Sequence, residues 1–233
     1  MCTAKRVLCL YRPAKPIIVG FPAPIILAIL LNELRGKRFK TAVQTSFYMP
    51  NFISIVVLCG IIVDFCATEG VTSDILAVFG IPASNLLQDR ALFKPIFIIS
   101  NLWQYAGWSS IIYMAALGGI NQELYDAAYV DGCGRFKRIL NVTLPGLIPT
   151  IVIMFILRLG NIMTVGFEKV ILLYNPLTYE TADVISSYVY RRGILEANYS
   201  YATAVGLFNS VLNFGFLIFA NWFSRQLTEE SLW

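Results

Sequence analysis

The sequence has no histidine and no phosphate-binding loop. Without histidine there is no zinc-protease motif, no His-dependent triad and none of the commonest general base. No Gly-rich loop ends in Gly-Lys-Ser/Thr, so the chain does not carry its own P-loop ATPase site. The five cysteines show no CxxC spacing, and three of them lie in or beside apolar runs, which is typical of small buried hydrophobes rather than metal ligands. We therefore expect neither a catalytic residue nor a metal site in this chain.

Charge is also scarce. Charged residues make up 14% of the 233 residues, whereas 57% are hydrophobic. An average soluble domain is about 25% charged, and a soluble protein of this size could not cover so much apolar surface. The hydrophobic residues form long runs, which indicates a chain whose solvent is partly lipid. The composition excludes a disordered chain and argues strongly against a cytosolic enzyme.

Five apolar stretches are candidates for membrane-spanning helices, which need roughly 20 residues each. They are centred on residues 17–31, 52–66, 95–120, 147–165 and 202–223, and the first two need polar flanks to reach full length. Residues 170–174 are too few to span and are predicted to be re-entrant or interfacial. The predicted fold class is therefore all-α, a polytopic membrane helix bundle with about five transmembrane helices.

The orientation follows from the basic residues in the loops. Eight lie after the first, third and fifth spans: Arg35, Lys37, Arg38, Lys40, Arg135, Lys137, Arg138 and Arg225. The other two loops hold five basic residues among more numerous acids. The first group is predicted to be cytoplasmic, with the C-terminus and the tail 226–233 inside.

The first residues conflict with this orientation. With five spans, residues 1–15 lie outside, yet they contain Lys5, Arg6, Arg12 and Lys15. A signal peptide would explain a basic start before an apolar run, but prolines interrupt that run and no small-residue cleavage site follows. A missing upstream helix, or a start in the wrong frame, fits better. Residues 1–16 are thus predicted to be an aberrant segment before a membrane-spanning domain at 17–225.

Aromatic and polar side chains interrupt the third and fourth spans. Such groups normally face a protein interior or a water-filled path, and clustered rings with amides suit sugar binding. The candidates for a substrate pathway are Trp103, Tyr105, Trp108, Arg158 and Asn161. The alternative is interfacial aromatics with interhelical hydrogen bonds. Arg158 can equally snorkel to the cytoplasmic interface or pair with an acid on a partner subunit.

The loop 121–149 carries the most informative pattern. Asn121 is predicted to cap a short helix, with Leu124, Ala127, Ala128 and Asp131 on one face. Gly132 is expected to end it with a positive φ, and a second short helix is expected before Pro145 opens the next span. This arrangement predicts an amphipathic helix that docks in a groove of a soluble partner. The alternative is an ordinary interfacial connector.

The same loop resembles the EAA loop of ABC-importer permeases of the type I fold. The resemblance rests on Asp126-Ala127-Ala128, Asp131-Gly132, Phe136, Ile139, Leu144-Pro145 and Pro149, with Asp126 in place of the usual Glu and Cys133 in place of Ala. It implies that the loop forms a coupling helix in a cleft of a cytoplasmic ATPase. The implied contact residues are Glu123, Asp126, Ala127, Ala128, Asp131 and Gly132, with Phe136, Leu144 and Pro145 supporting the loop.

The resemblance extends over about residues 20–233 and is nearest to polysaccharide- and oligosaccharide-type sugar permeases. It implies an inner-membrane subunit of an ATP-driven sugar importer that binds no cofactor itself, because a partner ATPase dimer hydrolyses the ATP. The other implied partners are a distinct second permease, an extracytoplasmic sugar-binding protein on residues 64–94 and 168–200, and lipid, with no nucleic acid. Family members usually have six spans, so we expect this chain to lack its first helix.

Three other functions remain as alternatives. An ion-driven secondary transporter typically shows internal repeats and buried carboxylates, yet no repeat is visible and Asp64 is the only acid near a span. A membrane-embedded enzyme is disfavoured because no nucleophile–base set is apparent. A truncated, non-functional permease fragment is the third.

Overall fold

A computed structural model describes residues 19–34, 36–78, 80, 85–89, 91–161, 166–178 and 184–228. Within these ranges the chain is helical and contains no β-strand. The predicted aberrant segment 1–16, the predicted cytoplasmic Arg35 and the last residues of the fourth predicted span, 162–165, lie outside the described residues. The helical fold class is the one predicted.

The first half of the chain forms short helices. They are α1 (Pro22–Glu33), α2 (Lys37–Tyr48), a 3₁₀ turn (Met49–Phe52), α3 (Ile55–Cys66) and α4 (Val71–Val78). Pro50, which lacks an N–H, lies in the turn that ends α2. α1 and α3 have 12 residues each, or about 18 Å, so neither alone crosses the roughly 30 Å hydrocarbon core.

The second half contains the long helices. It comprises α5 (Phe93–Gly118), α6 (Gln122–Val130), α7 (Arg135–Arg138), a π-helical turn (Ile139–Thr143), α8 (Leu144–Gly160), α9 (Phe167–Leu173), α10 (Ile185–Tyr190), a second π-helical turn (Arg191–Leu195) and α11 (Tyr199–Thr228). α9 has seven residues, which agrees with the prediction that this segment is too short to span.

Three helical segments are long and apolar enough to cross a membrane: Ile55–Ile75, Arg135–Gly160 and Tyr199–Gln226. They correspond to the second, fourth and fifth predicted spans. α1 is apolar but shorter. α5, the third predicted span, is long enough at 26 residues. Its many polar residues make it less apolar than the three segments above.

The helices leading into the fourth span agree with the prediction: α7 is the second short helix, and Pro145 lies in the first turn of α8. The π-turn joins the two, so that the helical segment is continuous over Arg135–Gly160. The π-turn explains the continuity: the Leu144 N–H donates to the Ile139 carbonyl, just before the proline that cannot donate. A widened turn thus carries the helix past the missing donor.

The chain divides into two compact units. Unit 1 comprises the described parts of Phe52–Asn101 and Ile162–Leu212. Its apolar core contains Cys59, Cys66, Leu87, Phe93, Phe97, Val170 and Leu173. Unit 2 comprises Leu102–Asn161 and the described parts of Ile17–Asn51 and Asn213–Trp233. Its core contains Ile25, Ala28, Tyr113, Leu117 and Leu147. Unit 2 contains the whole loop 121–149.

Candidate functional site

Helix α6 begins at a side-chain cap. The Asn121 Oδ1 accepts a hydrogen bond from the Glu123 N–H at 3.0 Å, and the Asn121 amide donates to the Glu123 carboxylate at 3.1 Å. The cap satisfies one of the free N–H groups of the first turn, and the acidic side chain lies where the helix dipole favours it. The predicted start of this helix is therefore confirmed.

The end of α6 depends on Gly132. Its φ is +70°, while the Gly132 N–H donates to the Tyr129 carbonyl at 3.1 Å and the Cys133 N–H to the Ala128 carbonyl at 2.9 Å. An added Cβ at Gly132 would meet no atom within 4 Å. Glycine is thus favoured here by the backbone conformation alone, and the predicted positive φ is confirmed.

The inner side of α6 packs against its own chain. Ala128 is buried, and the Tyr125 hydroxyl lies 3.1 Å from the hydroxyl of the buried Thr143 in the π-turn. Tyr125 and Ala128 lie three positions apart and so share a helix face. Leu124, Ala127, Ala128 and Asp131 share one face by their spacing, but this face is not uniformly exposed, because Ala128 is buried while the other three are exposed.

The outer side of α6 is exposed and partly apolar. It exposes five of the six residues that the resemblance implies as ATPase contacts: Glu123, Asp126, Ala127, Asp131 and Gly132. Tyr129 and Val130, which the sequence interpretation did not single out, are 74% and 84% exposed. Two large apolar side chains at the end of a short helix, next to the small-residue face, were the signal that could have identified them.

The three residues expected to support the loop lie in different environments. Phe136 is 74% exposed and Pro145 is exposed, whereas Leu144 is partly buried. Phe136 therefore adds to the apolar surface next to α6 rather than to the interior. The loop is held instead by Tyr125–Thr143 and by an ion pair of Arg138 with Glu33, at the end of α1.

The predicted pathway residues lie on two helices of unit 2. Trp103, Tyr105 and Trp108 on α5 are about half exposed, and Arg158 and Asn161 at the end of α8 are exposed. Tyr105 and Trp108 share a face, whereas Trp103, two positions from Tyr105, points to the opposite side of the helix. The structure therefore does not group the three rings on one face.

The buried polar groups of α5 are different residues. Gln104 is 2% exposed and Ser110 is fully buried, with its hydroxyl donating to the Gly107 carbonyl. Gly107 lies where α2 crosses α5: an added Cβ would lie 1.9 Å from the Phe47 carbonyl oxygen. This close approach explains why α5 carries a glycine in its middle.

Unit 1 buries a cation. Lys169 on α9 is fully buried, and its Nζ donates to the Asn101 Oδ1 at 3.3 Å. Among the described residues, no group of three Cys, Asp or Glu side chains could hold a metal ion.

Comparison with known proteins finds a matching family over most of the chain. Residues 20–229 match the family described as binding-protein-dependent transport system inner membrane component. Protein LplB of Bacillus subtilis is 39% identical over 93% of this chain and 68% of that protein. The polygalacturonan/rhamnogalacturonan transport system permease protein YteP of the same organism is 37% identical over 92% and 67%.

Two solved structures share the fold. One is a bacterial ABC transporter involved in the import of the acidic polysaccharide alginate, with 46% identity, a TM-score of 0.91 and coverage of 94% of this chain and 77% of that chain. The other is a bacterial alginate ABC transporter in complex with an alginate pentasaccharide-bound periplasmic protein. It has 45% identity, a TM-score of 0.93 and coverage of 96% and 78%.

Proposed function

Because this chain belongs to the family of binding-protein-dependent transport system inner membrane components, we propose that it is the permease subunit of an ATP-driven oligosaccharide importer. The observation that carries the proposal is the capped helix α6, which exposes Tyr129, Val130 and an acidic, small-residue surface. A short rigid helix with an exposed apolar end fits a groove in a partner. The names of the relatives support an oligosaccharide as the substrate.

In this proposal the partner that provides the groove is a cytoplasmic ATPase, present as a dimer, and this chain performs no covalent chemistry. ATP is bound and hydrolysed by that partner. The contact is made by Glu123, Asp126, Ala127, Asp131 and Gly132, together with Tyr129 and Val130. Ala128 acts from the inner face, where its small side chain lets α6 approach the π-turn.

The transmission path follows from the contacts that hold α6. A push on α6 reaches the fourth span through Tyr125 and Thr143, because Thr143 lies in the continuous helix Arg135–Gly160. Rigid elements joined by packed contacts move together, which is how a small docked helix shifts a bundle. This movement would alternate access to a substrate site, for which Trp103, Tyr105, Trp108, Arg158 and Asn161 remain candidates.

The remaining partners complete the importer. A second, distinct permease subunit would pair with this chain, and a periplasmic sugar-binding protein would dock on residues 64–94 and 168–200. No residue in the most apolar window of α11 is buried within this chain, which suits contact with lipid or with that second subunit. We place the protein in the bacterial inner membrane with a cytoplasmic C-terminus.

The test is saccharide uptake by vesicles that contain the complete importer. Purified permeases, ATPase and loaded binding protein are combined, with ATP inside the vesicle on the ATPase side. Uptake that requires both ATP and the binding protein is expected. Uptake that follows an ion gradient and ignores ATP would instead support a secondary transporter and contradict the proposal.

A further inference from the structure

Two short segments of unit 2 combine basic and aromatic residues at the start of a helix. Lys37-Arg38-Phe39-Lys40 opens α2, and Arg135-Phe136-Lys137-Arg138 forms α7. The Phe39 side chain is 60% exposed and that of Phe136 is 74% exposed. The exposed basic residues beside these two rings are Lys37, Arg38, Arg135 and Lys137.

The ion pair between Arg138 and Glu33 brings the two segments together. Glu33 is the last residue of α1, and Lys37 follows it by four positions, which an extended chain spans in at most about 14 Å. The two segments therefore lie side by side, and we term them the basic-aromatic surface. The other end of α2 is directed away from it, because Phe47 lies against Gly107 in the middle of α5.

The positive charge of the basic-aromatic surface is not balanced by acids of the described chain. The sequence has no Asp or Glu over residues 34–63 or 132–167. Five basic residues of the surface form no ion pair within the part of the chain that the structure describes: Lys37, Arg38, Lys40, Arg135 and Lys137. The surface is therefore electrostatically complementary to an anionic partner from outside the chain.

The length of the fourth span predicts that α7 lies among the lipid headgroups. Arg135–Gly160 has 26 residues, or about 39 Å of helix, whereas the hydrocarbon core is about 30 Å thick. The excess corresponds to about six residues. It is expected at the Arg135 end, because three of the four residues of α7 are basic and charge is costly in hydrocarbon.

We propose that the basic-aromatic surface binds the headgroups of anionic phospholipids. At headgroup depth the lysine and arginine side chains reach the phosphates, while the two phenylalanine rings enter the acyl region. Each basic residue near an anionic membrane strengthens the attraction about fivefold. This inference goes beyond the importer function, because it requires neither the ATPase nor the transported substrate.

An acidic surface of a partner protein is the competing occupant. The alternation of basic residues with exposed rings at headgroup depth favours lipid, because a membrane supplies phosphates and an apolar layer within one side chain's length of each other. The exposed face of α6, proposed above to contact the ATPase, carries Glu123 and Asp126 instead. A protein surface that complements the acidic α6 would not also complement the basic-aromatic surface.

The experiment captures the molecule that touches Phe136. A photo-reactive phenylalanine analogue replaces Phe136 in the complete importer, in vesicles of phosphatidylcholine and phosphatidylglycerol with identical acyl chains. After irradiation, mass spectrometry of the permease identifies each adduct as one of the two lipids or as a protein. Two double variants remove charge: Arg135→Gln with Lys137→Gln, and Lys37→Gln with Arg38→Gln. The matched control, Arg135→Lys with Lys137→Arg, exchanges the side chains and keeps the charge.

We expect phosphatidylglycerol adducts in excess of the share of this lipid in the vesicle. Two lost charges weaken the attraction about 25-fold on the same scale, so either Gln pair should bring the adducts down to the vesicle composition. The charge-keeping control should retain the excess, and high salt should reduce it because exposed charges are screened.

Three results would each overturn the lipid site: adducts in vesicle proportions without any Gln substitution, adducts mainly with the ATPase, or loss of the excess in the charge-keeping control. ATP-driven uptake by the same vesicles tests the importer function separately. An excess of phosphatidylglycerol adducts without uptake would contradict the importer and support the lipid site, whereas uptake without an excess would do the reverse.

Discussion

The Arg138 Nη2 lies 3.6 Å from the Glu33 Oε2, which links the loop after α6 to the end of α1. Both side chains are only 23% exposed, and the Arg138 Nε is buried without a hydrogen-bond partner. Glu33 lies in the last turn of its helix, where the helix dipole destabilises an acidic side chain. The positive charge of Arg138 offsets this unfavourable interaction. The ion pair gives the loop an anchor that is distant in sequence.

Removing either member of this pair should destabilise unit 2. We expect Glu33→Gln or Arg138→Gln to cost about 1–2 kcal/mol, between the values of exposed and buried pairs. The measurement is thermal unfolding of the purified protein in detergent for both single variants and the double variant. A double variant whose loss equals the sum of the single losses would show that the two residues do not interact.

Gly132 should tolerate substitution less well than Gly134, which lies two positions along the chain. At a φ of +70°, alanine is expected to cost about 1–2 kcal/mol and to reorient the end of α6, so Gly132→Ala should reduce ATP-driven uptake. Gly134 is a matched control, because its φ is −62° and an added Cβ would meet no atom within 4 Å. If the two variants transport equally well, the left-handed turn has no role in coupling.

Gly107 is expected to be essential for the crossing of α2 and α5. An added methyl group would lie 1.9 Å from the Phe47 backbone oxygen, which cannot move without shifting a helix, so Gly107→Ala should cost about 1–3 kcal/mol. Gly118→Ala in the same helix should have little effect, because an added Cβ there meets no atom within 4 Å. The melting temperatures of both variants in detergent test this. A Gly107→Ala protein as stable as the Gly118→Ala protein would contradict the crossing.

The local features of the loop could be predicted from the sequence because their causes are local. Asn121 caps α6 and Gly132 ends it through backbone preferences that act within a few residues. The burial of Ala128 could not be predicted, because it depends on Tyr125 meeting Thr143, 18 positions along the chain. The contact of Gly107 with Phe47 joins residues still farther apart. Helical periodicity alone does not say which face of a short helix meets its own bundle.

The most direct test of the account is a cross-link from the outer face of α6. A photo-reactive amino acid is placed at Val130, which is 84% exposed, or at Tyr125, which faces Thr143, in the assembled complex. We expect the probe at Val130 to form an adduct with the ATPase subunit and the probe at Tyr125 to form none. An actively transporting complex in which the probe at Val130 never reaches the ATPase would contradict the account.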